Sequence, residues 1–133
     1  MVTPRWVSTK TQPIGIADVI AYLVAAPGIE AAAGREIEIG GPEVTTYRGM
    51  MEEMARALGR RPPLQIPVPL LTPQLSSLWI GLVTPVDVGV ARPLIEGLAT
   101  ETIVADRSGM ELFDVEPTPI DRAMRAALAE QDA

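Results

Sequence analysis

Residues 35–61, REIEIGGPEVTTYRGMMEEMARALGRR, place a glycine pair between a run with strand-like alternation and a run with helical period. Ile37 and Ile39 fall on one face of an extended chain and Glu36 and Glu38 on the other, which predicts a strand with one dry side. From about Thr46 to Leu58 the apolar positions Tyr47, Met50, Met51, Met54 and Leu58 recur with helical spacing, opposite Arg48, Glu52, Glu53 and Arg56. Glu52 and Arg56 form a well-oriented i,i+4 pair, and Gly59 is placed to end the helix. The methionine stripe suits an adaptable ligand wall, but such stripes are more often core.

Glycines between a strand and a helix often cradle a phosphate. A dinucleotide loop needs G-x-G-x-x-G spacing, so that backbone amides approach the pyrophosphate at a helix start. Here the run is Gly40-Gly41-Pro42-Glu43. Pro42 has no N–H to offer, and Glu43 puts negative charge where a phosphate would sit. The stretch is a corner.

Working outward, Thr11 to Ile16 reads as extended. Asp18 then reads as the cap of a helix that carries Val19, Ile20, Leu23 and Val24 at helical spacing and stops at Pro27-Gly28. Leu64 to Pro69 is an edge strand or a polyproline-like segment, because its prolines cannot donate to a ladder. Helices are expected over 73–83 and 87–97, a short strand over Glu101–Asp106, and a closing helix over Ile120–Glu130 with Ala123, Met124, Ala127 and Leu128 inward. The sum is a mixed α/β chain, richer in helix, with three or four short strands.

The 133 residues suffice for one compact domain, and the net charge of −6 gives no reason to expect a nucleic acid or an anionic membrane as partner. There is no cysteine and no histidine, which excludes disulfides, thiolate chemistry and imidazole bases or metal ligands. The acidic residues are dispersed and form no calcium loop. The apolar tract Leu75 to Val86 is shorter than the span of about 20 residues that crosses a bilayer. The expectation is a soluble, cytoplasmic chain.

Catalytic motifs are missing. The only lysine, Lys10, precedes both tyrosines, so no Y-x-x-x-K pair exists, and no base that could activate a serine or threonine is identifiable. The stretch from Leu75 to Leu98 has a composition suited to the wall of an apolar pocket, to a packing surface or to ordinary core. Arg92 within it would need a partner if buried, with Glu96 the nearest candidate.

Three stretches carry a family resemblance: Gln12 to Val19 (QPIGIADV), Glu38 to Tyr47 (EIGGPEVTTY) and Leu82 to Val86 (LVTPV). Their order and spacing resemble the C-terminal part of atypical and extended short-chain dehydrogenases/reductases, in particular the NAD(P)H-binding, epimerase-like branch that shades into NmrA-like proteins. The resemblance implies that residues 1–133 form the helix-rich C-terminal, substrate-side lobe of a Rossmann-type protein. Family members also carry an N-terminal glycine-rich fingerprint and usually Y-x-x-x-K, and this chain has neither. At the Thr46 helix start, relatives often place an acid where Gly49 stands, so the helix is expected to start softly.

What the resemblance implies for function is a substrate-binding lobe of an NAD(P)-dependent oxidoreductase or epimerase-like protein, without catalytic or metal-binding residues and inactive as an isolated chain. The NAD(P) cofactor belongs to the full-length family and not to this chain. Trp6 and Gln12 would lie toward the pocket mouth, with Trp79 and Thr84 adding wall. The expected partners are a small-molecule substrate and either a missing Rossmann domain or a second copy of the chain. Two other readings stay open: an interaction module that self-associates through an apolar face, and part of an NmrA-like redox sensor.

Overall fold

A computed structural model describes residues 2–3, 5–62, 66–67, 93–94 and 96–131. The chain is mixed α/β. Among the described residues four two-residue strands, β1 (Val2–Thr3), β2 (Lys10–Thr11), β3 (Thr45–Thr46) and β4 (Ile66–Pro67), form two small sheets. β1 pairs parallel with β4, while β2 pairs antiparallel with β3, and Thr102 adds a parallel bridge to Thr11. Three helices, α1 (Ile16–Ala25), α2 (Tyr47–Ala57) and α3 (Ile120–Gln131), supply most of the regular structure described. Trp79, Thr84, Arg92, the helix expected over 73–83 and much of that over 87–97 lie outside the described residues; residues 93–94 and 96–97 are helical.

The glycine corner is explained by close packing. A Cβ on Gly40 would come within 2.7 Å of Val104 Cγ2 and 2.9 Å of Gln12 Cδ, and one on Gly41 would overlap the Pro13 carbonyl oxygen. Both glycines are buried. The Gln12 side chain occupies the junction they open: its Nε2 donates to the Gly41 carbonyl at 2.7 Å, and its Oε1 accepts from the Val104 N–H at 2.9 Å. The Gln12 N–H donates to the Thr102 carbonyl, and the Thr102 N–H to the Lys10 carbonyl.

The same junction corrects two strand expectations. Neither 35–39 nor 101–106 is a ladder strand, beyond the single bridge at Thr102. Side chains take the place of main-chain rungs between them. Gln12 bridges Gly41 and Val104, and the Glu38 carboxylate accepts the N–H groups of Ala105 (2.6 Å) and Asp106 (3.2 Å). The alternation nonetheless assigns the faces correctly. Ile37 and Ile39 pack against the core, while Glu36 and Glu38 are exposed.

The α2 helix forms where its pattern places it, although Leu58, the last residue of the expected stripe, is exposed. Thr46 caps it by accepting the Gly49 N–H at 3.1 Å, so the N-cap forms without the acid three residues on. Gly49 has a steric reason, since a Cβ there would collide with the Thr45 hydroxyl. At the other end Gly59, at φ +67°, gives its N–H to Arg56 and Arg60 gives its own to Ala55, which closes a Schellman motif. Arg56 pairs with Glu52 at 3.7 Å and also contacts Glu53. Such exposed pairs contribute only about 0.5 kcal/mol each.

The core cluster among the described residues is Tyr22, Met110 and Phe113, flanked by Ile14, Ile37, Ile39, Val104 and Val115. Tyr22 and Phe113 meet edge to face with ring centroids 5.1 Å apart. The Tyr22 hydroxyl is shielded from water and has no hydrogen-bond partner among the described residues.

Two measurements follow from this packing. Gly41→Ala is expected to destabilise the chain by about 3 kcal/mol through overpacking, whereas Gly28→Ala, where an added Cβ meets nothing within 4 Å, should be near neutral in urea unfolding. Burial raises the Tyr22 phenol pKa, the Asp18 carboxylate adds to the rise, and Arg107 opposes it. The folded chain therefore holds this proton to higher pH than the unfolded chain. The resulting stability is fully present below about pH 10 and is lost as pH rises through the elevated pKa. Tyr22→Phe removes the unpartnered hydroxyl and should stabilise by about 1 kcal/mol at neutral pH. It should also flatten the alkaline loss of stability, read by urea midpoints at neutral and alkaline pH.

Candidate functional site

Helix α1 starts three residues earlier than a cap at Asp18 would place it. Gly15 is its N-cap, in an extended conformation (φ −68°, ψ 145°), and no side chain caps it. A Cβ on Gly15 would lie 3.4 Å from Ala123 Cβ, so α1 begins where the chain passes against α3. Asp18 thus falls inside the first turn, buried at 7 % exposure, and its carboxylate reaches across the chain instead of capping its own helix. One oxygen accepts the Thr118 N–H at 2.7 Å and the other the Thr118 hydroxyl at 2.9 Å. This corrects the capping role read from the sequence.

Glu43, from the glycine corner, performs a related task. Its Oε2 accepts the Ile120 N–H at 2.9 Å, at the first residue of α3. Two carboxylates from distant elements therefore satisfy donors at the entry to this helix, where the helix dipole favours negative charge.

Between the start of α1, the methionine face of α2 and the inner face of α3 lies a cleft of about 340 Å³. Met50 and Met54 line it from α2, Met124 and Ala127 from α3, and residues 13–18 form the third wall. Among the described residues lining it, Asp18 and Glu130 are ionisable and none is a lysine or arginine. The size is at the low end for small-molecule sites, and the lining is apolar with flexible thioethers.

Of the residues expected at a pocket, Trp6 and Gln12 are described and Trp79 and Thr84 are not. Trp6 lies in a 3-10 turn (Arg5–Ser8), packed edge to face on Tyr47 with centroids 5.9 Å apart. Its indole N–H is shielded and without a partner among the described residues. Gln12 borders a shallower recess with Glu38 and Thr102, its carboxamide engaged on both sides as described. Neither lines the methionine cleft, and Trp79 and Thr84 are outside the described residues. The sequence reading missed Asp18, Ile120, Met124 and Glu130 as cleft residues. The signal that pointed toward them was the methionine stripe of α2.

Among the described residues, no cluster of three or more histidine, cysteine or acidic side chains could hold a metal ion. Nor is any described helix long and apolar enough to cross a membrane. No protein-family model matches the chain, and no curated protein matches it.

Asp18→Ala should cost about 2–3 kcal/mol, because it leaves both Thr118 donors unpaired in a partly buried setting. Combining it with Thr118→Val should recover part of that loss in a double-mutant cycle by urea unfolding. Purely additive losses would show that the two residues are not coupled.

Proposed function

We propose that this chain is the substrate-side lobe of an NAD(P)-dependent oxidoreductase or epimerase-like protein of the extended or atypical short-chain dehydrogenase/reductase type, and that it is inactive by itself. The observation that carries the reading is the orientation of α1. Its polar and aromatic side, Asp18 and Tyr22, is buried, while Ile16, Ile20, Leu23 and Val24 are 66, 53, 67 and 77 % exposed. The helix's one charged residue is the buried Asp18, so its outer face carries no charge at all.

Full burial of such a side chain is worth roughly 1.5–3 kcal/mol. Leaving four of them in water forgoes several such gains along one stripe, which is the pattern of a helix that lies between two bodies. Ile16 also lines the methionine cleft and Leu23 a second recess near Tyr22, so the apolar surface continues beyond the helix itself. A companion domain laid over this face would cover it and wall the cleft. The cleft then serves as the substrate side of a site whose cofactor is held by the companion.

The same face favours a second reading, a non-catalytic module that self-associates. Titration with NADH and NADPH tests the first: the isolated chain should show no saturable binding, and tight stoichiometric binding would overturn the assignment. Sedimentation across concentrations tests the second. Concentration-dependent association abolished by Ile20→Glu with Leu23→Glu supports it, and a monomer at all concentrations removes it.

A further inference from the structure

We infer that the methionine cleft selects uncharged or cationic apolar molecules and rejects anions. The inference rests on the substrate-side reading of this lobe and names the chemistry of its ligand. Two helix N-termini, those of α1 and α3, border the cleft, with Gly15 and Ile16 from one and Thr118 and Ile120 from the other. Unoccupied, two such ends would attract an anion, each carrying roughly half a positive charge.

At the entry to α3 the protein's own carboxylates already hold donors, while no side chain caps α1. Asp18 takes the N–H and hydroxyl of Thr118, and Glu43 takes the N–H of Ile120. Asp18 also sits in the first turn of α1, so one buried carboxylate opposes both helix ends. Glu130 adds a third negative charge at the cleft wall, and among the described residues no cationic side chain lines it to compensate. Asp18 and Glu130 at the wall, with Glu43 at the entry to α3, outweigh the two half charges, so a ligand anion would meet repulsion.

The apolar part of the ligand is set by the thioethers. Met50, Met54 and Met124 come from two different helices and present adaptable, polarisable walls that suit a flat ring system. The volume of about 340 Å³ admits a bicyclic ring.

The test uses the chain labelled with carbon-13 at the methionine methyl groups, titrated with 2-naphthol, 2-naphthylmethylamine and 2-naphthoate while methyl shifts are recorded. The methyls of Met50, Met54 and Met124 should shift saturably with the alcohol and the ammonium compound, while Met110, buried in the separate core cluster, stays in place. The carboxylate should bind at least roughly tenfold more weakly, and Glu130→Gln should narrow that gap. Ala127→Phe, at an exposed position lining the cleft, should abolish the shifts with an unchanged circular dichroism spectrum.

Equal binding of the naphthoate overturns the charge selection. Absence of shifts with all three probes, or shifts that include Met110 to the same extent, overturns the cleft as a binding site. Either outcome is separate from the dinucleotide titration, which tests the lobe assignment and does not involve the methionine methyls.

Discussion

The structure depends on how closely residues 40–41 approach residues 12–13. Only glycine permits that approach, because any Cβ at position 41 would overlap the Pro13 carbonyl oxygen. The space left is filled by one carboxamide, Gln12, whose donor and acceptor ends tie the corner at Gly41 to Val104. Three segments far apart in sequence are thereby held together by that side chain, by main-chain bonds between Lys10, Gln12 and Thr102, and by the Glu38 carboxylate, with no extended ladder among the described residues. A partly buried amide with both ends engaged strongly favours one arrangement, since any shift would leave a donor or an acceptor unmatched. Residues 12–15, so fixed, deliver α1 against α3.

From that placement the rest of the site follows. With α1 beginning at Ile16, its first turn puts Asp18 opposite Thr118, and the Asp18–Thr118 bonds hold the entry to α3. The corner contributes a second carboxylate to the same entry through Glu43. Acidic side chains are thus used twice to satisfy helix-entry donors that would otherwise have invited an anion. The glycine pair resembles a phosphate loop in composition, yet the acid beside it, Glu43, takes a donor at the entry to α3 that a phosphate could have used.

The orientation of α1 joins local physics to the functional reading. A ten-residue helix that buries an aspartate and a tyrosine while exposing two isoleucines, a leucine and a valine is inverted relative to an ordinary surface helix. Within the described residues, the core gathers around Tyr22, Met110 and Phe113 on the helix's polar side. The apolar side is what a companion domain or a second copy would cover, and the proposal of a lobe that works beside a cofactor-holding domain rests on that asymmetry.

Periodicity alone was sufficient for α2 and α3, for the Schellman ending at Gly59, and for the inward faces of Ile37 and Ile39, because each depends on residues within a few positions of one another. The same local information established that the glycine corner lacks the donors of a nucleotide loop. It could not show that 35–39 and 101–106 would be joined through side chains, because a strand pattern records which face is dry and not whether a partner backbone stands alongside. Nor could it show that Asp18 would reach Thr118, 100 residues on, instead of capping its own helix. The apolar positions of α1 were legible as a stripe, but which side of that stripe meets the core is decided by where Gly15 passes Ala123. The cleft needed three separate segments in place before its methionines and its acids became one surface, and long-range packing of that kind has no signature in local sequence.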